Sequence, residues 1–378
     1  MEYIKNITKI RLTKFIDADK KTAKSYDFVN GKLVKETNGN FWNGSFETIN
    51  INYTELPDFI NSMVSWEFLI QGVHHSLTEG NCPEDATRLK ETFPFADSPG
   101  LLCIDSDSVH KQGIQSLEEL NNALGKIDPS LNNIYKVMST SASSNISVDG
   151  KEFNGLRGVH TFIPIDTTKN NKAILEILHA RSIIAGFGYA KVTISGNIII
   201  CSLVDKALCT SNQPIYEGGA IINNDSIKQD RQVETFDGDM LSAASILPLT
   251  QEEIEIFQKK SEALRASVAE EAQKVREQFQ KVHSARLIEK NYQLTTTNAA
   301  HIIDRAITDY ELYGQISILL ETGEEVTVQQ ILDNPVKYHN AECAHPLDRS
   351  IRGKSIIYSN QDKPVIHTFA HGGEVFFL

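Results

Sequence analysis

Asp105 and Asp107 stand two residues apart, immediately after the apolar run Leu101–Ile104, which itself follows the breaker Pro99-Gly100. On a strand, alternate side chains leave the same face, so the two carboxylates can share one divalent cation. Paired carboxylates, completed by water and substrate phosphate oxygens, are the usual protein contribution to a magnesium site. A D-x-D pattern alone serves nucleotidyl transfer, sugar-nucleotide transfer and phosphate-ester hydrolysis alike, and a solvated strand end carries the same letters. Two later pieces add chemistry. His160, in "LRGVHTFIPI", alternates with apolar neighbours on a strand that begins after Gly158, and Asp205, in "CSLVDKAL", ends another apolar strand. The preceding "STSASS" and Arg157 supply hydroxyls, backbone N–H groups and a guanidinium, the groups that bind phosphate.

These residues need elements to hold them. "DFVNGKLVKE" predicts a hairpin turning at Asn30-Gly31, and "LPDFINSMVSWEFLI" predicts a helix from Leu56 to about Ile70. Leu101–Ile104 predicts a buried strand, "SLEELNNALGKI" a helix, "IYKVMSTSAS" and "GLRGVHTFIPI" two strands, and "NKAILEILHARSIIAGF" a second helix. A β-rich stretch, "AKVTISGNIIICSLVDKAL", follows. Between Pro248 and Asn291 there is no Gly or Pro, and apolar residues recur from Ile254 to Val282; this predicts one long amphipathic helix with eight Lys/Arg balanced by eight Asp/Glu. The organisation expected is a catalytic domain over residues 1–248, a helical connector over 249–291 and a small accessory domain over 292–378 ending in the strand-like "EVFFL". The class is α+β, because the hairpin turns are too many for a purely parallel sheet.

Composition sets outer bounds. A chain of 378 residues with 40% hydrophobic and 23% charged content is globular and long enough for two or three domains. No run approaches the roughly 18 apolar residues of a membrane span, and the N-terminus lacks a signal-peptide core, so a cytoplasmic protein is expected. The five cysteines, Cys82, Cys103, Cys201, Cys209 and Cys343, are scattered without a C-x-x-C pair, which predicts reduced thiols. The formal net charge of −12 points away from nucleic acid. Its distribution is uneven: residues 1–40 carry nine Lys/Arg against five Asp/Glu, making Lys9, Arg11, Lys14, Lys20 and Lys21 the first candidates for contacts with phosphate groups, whereas residues 41–250 carry 14 against 25.

The order of the three chemical pieces resembles the archaeo-eukaryotic primase superfamily, and most nearly the primase-polymerases of phages, plasmids and other mobile elements. Their hDhD, sxH and hD motifs are matched by Ile104-Asp105-Ser106-Asp107, Gly158-Val159-His160 and Val204-Asp205. Further similar stretches are "LTKFIDADKK", "TRLKETFPFADSPGLLCIDSD", "VTVQQILDNPVKYHN", "HPLDRS" and "VIHTFAHGG", so the likeness spans nearly the whole chain. Two positions depart from the pattern: Gly158 stands where Ser is usual, and Cys201 where a basic residue is expected. The resemblance implies an RNA-recognition-like palm sheet beside an N-terminal α/β module, and template-directed nucleotidyl transfer from NTPs or dNTPs on single-stranded DNA. It implies that Asp105, Asp107 and Asp205 hold two Mg²⁺ or Mn²⁺ ions and that His160 contacts the triphosphate. Arg157, Ser139 and Ser141 are further phosphate candidates, Lys191 and Arg88 candidates for nucleotide or template. A helicase region in a longer protein, or a helicase partner, is the associated expectation. A catalytically inactive nucleic-acid-binding replication module of the same fold is the alternative, with sugar-nucleotide transfer a third reading.

Other candidates read as structural. His339, Cys343, His345, His367 and His371 fit no familiar zinc spacing, so zinc is not expected. His74-His75 is expected to follow a helix and meet its last carbonyls. His110 stands near the D-x-D as a bystander, and Trp42 and Trp66 suit either a core or base stacking.

Overall fold

A computed structural model describes residues 8–29, 32–37, 41, 43–291, 293–369 and 373–378. The chain forms two compact units, Met1–Gly188 with Cys201–Ser261 and Tyr189–Ile200 with Glu262–Leu378. The class is α+β, as expected, and no described helix is long and apolar enough to cross a membrane.

The first unit opens with strands β1 (Lys9–Asp17), β2 (Lys24–Val29), β3 (Lys32–Thr37) and β4 (Gly44–Asn52), then α1 (Leu56–Ser62), β5 (Glu67–Ile70) and β6 (Glu79–Cys82). β2 and β3 pair with Val29 opposite Lys32; the expected turn residues Asn30 and Gly31 lie outside the described residues. Next come β7 (Gly100–Ser106), α2 (Leu117–Ile127), β8 (Lys136–Thr140), the hairpin β9 (Ile146–Val148) and β10 (Lys151–Asn154), β11 (Val159–Ile165) and α3 (Asn171–Ile184). After β12 (Tyr189–Val192) and β13 (Ile198–Cys201), which fall largely in the second unit, the first unit closes with β14 (Ile215–Tyr216), β15 (Ile221–Ile222), β16 (Ile227–Gln229) and β17 (Val233–Phe236).

Among the described residues, nine strands form the main sheet, in the order β14-β5-β1-β7-β11-β8-β17, with β4 branching from β1 and β6 pairing with β4. β11 lies antiparallel between β7 and β8, so the segment β7-α2-β8-β11-α3 is a split β-α-β unit whose third strand fills the gap between the first two. The helices bury their apolar stripes on this sheet: Leu117, Leu120 and Leu124 of α2 and Ile174, Leu175 and Leu178 of α3 share one core with Leu102, Ile104, Met138 and Ile163. α2 starts cleanly because the Ser116 hydroxyl accepts the N–H of Glu119.

The helix expected from Leu56 to Ile70 stops at Ser62, and "EFLI" is strand β5. Phe68 and Ile70 enter an aromatic cluster with Phe15, Phe46 and Phe93, while Leu69 enters the main core. A strand buried on both faces has no alternation to reveal it, and a short apolar run then extends a neighbouring helical pattern.

The second unit contains β12, most of β13 and α5 (Ala269–Lys290), α6 (Thr296–Thr308), β18 (Ser317–Leu319), β19 (Glu325–Thr327), α7 (Val328–Asp333), α8 (Pro335–Tyr338), β20 (Glu342–Cys343), β21 (Ser355–Tyr358), β22 (Val365–Thr368) and β23 (Glu374–Phe377), the last being the "EVFFL" strand. The single long helix expected here is two, α4 (Gln251–Ser267) and α5, broken at Val268 (φ −119°, ψ 7°). The Ser267 hydroxyl bonds back to the Leu264 carbonyl at 2.7 Å, a local competitor that bends helices. α4 fully buries none of its residues, whereas α5 contributes Phe279 and Leu287 to the core of the second unit. The β12–β13 hairpin sits against α5 at Gly196 (φ +81°), where a Cβ would lie 2.6 Å from the Ala272 carbonyl oxygen.

Candidate functional site

The pairing of β7, β11 and β8 lines up the chemical residues in rows. His160 is directly opposite Asp105 on one side and Ser139 on the other, so these three side chains share a face at one end of the sheet. One row inward, Phe162 faces Cys103 and Val137, all fully buried, and forms an apolar floor. One row outward lies Gly158: a Cβ built there would stand 2.8 Å from the Ser141 hydroxyl and 3.1 Å from Oδ1 of Asp107. Glycine at this position leaves room for the Asp107 and Ser141 side chains beside the backbone.

Asp205 arrives from a distant segment. The expectation that it ends a strand is corrected: β13 stops at Cys201, and Asp205 instead caps a 3-10 turn, accepting the N–H of Ala207 at 2.9 Å. Its own N–H donates to the Asp105 carbonyl at 2.9 Å. The segment before it is pinned by side chains, with Ser106 donating to the Leu203 carbonyl at 2.6 Å and the His179 Nδ1–H to the Val204 carbonyl at 2.7 Å. The result is one oxygen from each of Asp105, Asp107 and Asp205 within 4.8 Å of the others. Among the described residues, this is the one group of three or more His, Cys, Asp or Glu side chains close enough to share an ion. After Asp107 the chain turns sharply through Ser108, a non-glycine residue at φ +56°, a conformation costing on the order of 1–3 kcal/mol and typical of sites where geometry is imposed.

The electrostatics call for a cation. Burial, then repulsion from Asp107, raises the Asp105 carboxyl to about 7, and burial followed by repulsion from Asp107 also raises that of Asp205. Three hard oxygen donors suit a hard cation. His160 is held by carboxylates: its Nδ1 pairs closely with Glu217, and its Nε2 lies 3.6 Å from Asp105, beyond hydrogen-bond reach. Burial alone would lower the imidazole, but Glu217 and Asp105 outweigh it and raise it to about 9. A ring protonated at both nitrogens then presents an Nε2–H beside the acids.

The remaining predicted residues separate. Ser139 is buried and accepts a hydrogen bond from Arg231 at 3.3 Å; Ser141 bonds with the Ser143 hydroxyl at 3.0 Å. The loop after β8 is locked by Ser144, whose hydroxyl donates to the Gly158 carbonyl and accepts the N–H groups of Arg157 and Gly158. Arg157 contacts His110 at 2.8 Å and Asn154 at 3.1 Å, so His110 is part of the rim. Arg88 is instead tied to the Asn212 carbonyl and packs over Phe68 on the aromatic cluster, and Lys191 is exposed on β12 in the second unit. Of the basic N-terminal residues, Lys14 is paired with Glu47 and Glu67, Lys20 covers Trp66, and Lys21 lies 3.8 Å from Asp19.

Three site residues escaped the sequence reading. Glu217, 2% exposed, binds His160; Arg231 binds Glu217; and Lys24 on β2 is close enough to stabilise the Asp105 carboxylate and oppose charge on His160. The only local signal was the acid in "IYEGG", followed by two glycines that allow close packing.

Other expectations resolve as follows. His74 follows strand β5, not a helix, and its Nδ1 accepts the N–H groups of Ser76 and Leu77. His345 pairs with Glu374 at 2.8 Å, and His339 accepts the N–H of Asn360. His371 and Trp42 lie outside the described residues. Comparison with known proteins finds no matching family model, curated protein or solved structure.

Proposed function

We propose that this chain is a metal-dependent nucleotidyltransferase, a primase-polymerase that extends or initiates strands on single-stranded DNA from NTPs or dNTPs. The observation that carries this reading is the acid triad: Asp105 and Asp107 from the end of β7, and Asp205 from a separate segment, converge beside an imidazole anchored by Glu217. The split β-α-β topology agrees with the palm that the motif order implies.

In this mechanism Asp105, Asp107 and Asp205 would hold two Mg²⁺ or Mn²⁺ ions. Such ions, when bound, lower the pKa of the attacking 3′-hydroxyl and offset charge on the α-phosphate and departing pyrophosphate. The new 3′-O–P bond forms as the α–β phosphoanhydride bond breaks, and the hydroxyl proton passes to solvent. The protein's share is positioning. His160 donates from Nε2 to a triphosphate oxygen. The Ser141 hydroxyl, the free donors of Arg157 and the Lys24 ammonium supply further phosphate contacts around the same end of the sheet. A helicase region or partner would supply the unwound template.

The test incubates the chain with unprimed single-stranded DNA, Mg²⁺ or Mn²⁺, and labelled NTPs or dNTPs in separate reactions. Product is expected with the intact chain and not with Asp107→Ala of unchanged fold. Normal product from Asp107→Ala refutes the assignment. DNA binding without product under any condition favours a catalytically inactive replication module.

A further inference from the structure

Two residues from opposite ends of the sheet order stand behind His160: Glu217 after β14, which pairs with the ring, and Arg231 before β17, which pairs with Glu217. Glu217 follows β14, the edge strand, where Tyr216 pairs with Phe68 of β5. Its backbone is set by Gly218, which presses on α1's exit: a Cβ there would lie 1.9 Å from the Val64 carbonyl carbon, and Ser65 donates to the Gly218 carbonyl at 3.2 Å. Only a glycine fits, and it directs the Glu217 side chain inward. One carboxylate oxygen takes the His160 Nδ1–H; the other accepts from Arg231 at 3.3 Å. Arg231 also donates to the Ser139 hydroxyl at 3.3 Å and to the Ile60 carbonyl at 3.1 Å. A carboxylate that grips one ring nitrogen fixes the rotation of the imidazole and leaves the other nitrogen for the substrate.

We infer that Glu217 is a positioning residue, braced by Arg231, that acts through His160 by fixing the rotation of its ring so that Nε2 faces the acid triad and the nucleotide's phosphates. The alternative for a buried acid is a purely structural ion pair with Arg231. The two differ in what depends on what: a positioning residue loses its effect once His160 is gone, whereas a structural pair does not. Among the described residues no other group bonds to Nδ1, so without Glu217 the ring loses the contact that fixes its rotation.

The kinetic readout rests on the nucleotidyl-transfer reading; a spectroscopic one does not. Glu217→Ala, His160→Ala and the double variant are compared in template-directed synthesis, with melting curves as the fold control. Loss of a partner behind a site residue typically costs about 10–100-fold, so the Glu217→Ala KM for nucleotide is expected to rise by roughly that factor with a smaller change in kcat. The double variant is expected to be no worse than His160→Ala alone. Independently, proton NMR of the metal-free chain should contain a downfield, slowly exchanging Nδ1–H signal that disappears in both His160→Ala and Glu217→Ala and survives in Glu217→Gln, which keeps an acceptor and serves if the alanine variant does not fold. Additive kinetic losses, or an Nδ1–H signal unchanged in Glu217→Ala, would overturn the inference. An intact chain that makes no product but loses this signal in Glu217→Ala would refute the function while upholding Glu217 as the group that holds the His160 ring.

Discussion

Replacing Asp105 by Asn separates stability from activity at the acid triad. Asp105 is raised to about 7, first by burial and then by Asp107, and that value already includes the offsetting attraction of His160. Against an ordinary carboxyl near 3.8, a shift of three units corresponds to about 4 kcal/mol, and partial solvent access reduces this to roughly 2–4 kcal/mol. Because the folded-state value is raised, the folded protein binds more protons between pH 4 and 7, stability falls as pH climbs through that window, and the full cost is present above it. Asn keeps the size and cannot ionise. In EDTA at pH 8 the first unit of Asp105→Asn should therefore melt higher than the parent by roughly 5–10 °C, taking about 2–4 °C per kcal/mol for a unit of this size. The gain should shrink as pH approaches 4. Adding Mn²⁺ should raise the melting temperature of the parent, whose repelling carboxylates gain a counter-ion, and move the variant much less. Melting scans at two pH values, with and without Mn²⁺, decide the matter. An Asn variant no more stable at pH 8, or equal Mn²⁺ stabilisation of both proteins, would refute the account of a site strained by its own charge.

Gly158→Ala places a methyl group against Ser141 and Asp107; synthesis should fall about tenfold, and Ser141→Ala in the same chain should restore part of it because the hydroxyl is the closest atom. Lys136 is buried on β8 and lowered by burial to about 8, so Lys136→Met should stabilise the first unit by on the order of 1–3 kcal/mol in urea titrations below pH 8. That advantage should shrink as pH rises from about 8 to 10.5 and vanish only above 10.5, where the parent lysine is neutral in both states. Phe162→Ala empties the floor beneath His160 and should cost about 3–5 kcal/mol by the same measurement.

Local pattern made much of the first unit legible. Leu101–Ile104 behind a Pro-Gly breaker marks a buried strand ending in two acids; α2 carried helical periodicity and a serine cap, and β8 and β11 were legible as apolar runs set off by Ser- and Gly-containing loops. The failures share a cause. β5 lacked alternation because both its faces are buried, and the α4–α5 break depends on a serine competing for a carbonyl. Asp205 was found by its type and order, but its local structure was misread because side chains from β7 and α3, rather than a strand ladder, hold its segment.

The sequence by itself determined which chemistry was available: two aspartates with a two-residue spacing, an imidazole on an alternating strand, and a third acid after an apolar run. Spacing along one strand is a property of the backbone, so the shared face of Asp105 and Asp107 could be read directly. Whether these groups meet depends on strand pairing across tens of residues, which only the tertiary structure decided. The register that sets His160 opposite Asp105 and Ser139, the glycine gap at Gly158, and the burial of Glu217 between His160 and Arg231 all arise where separate segments pack together. Their physical basis is steric fit and charge pairing in a desolvated space, and neither is encoded within any one segment.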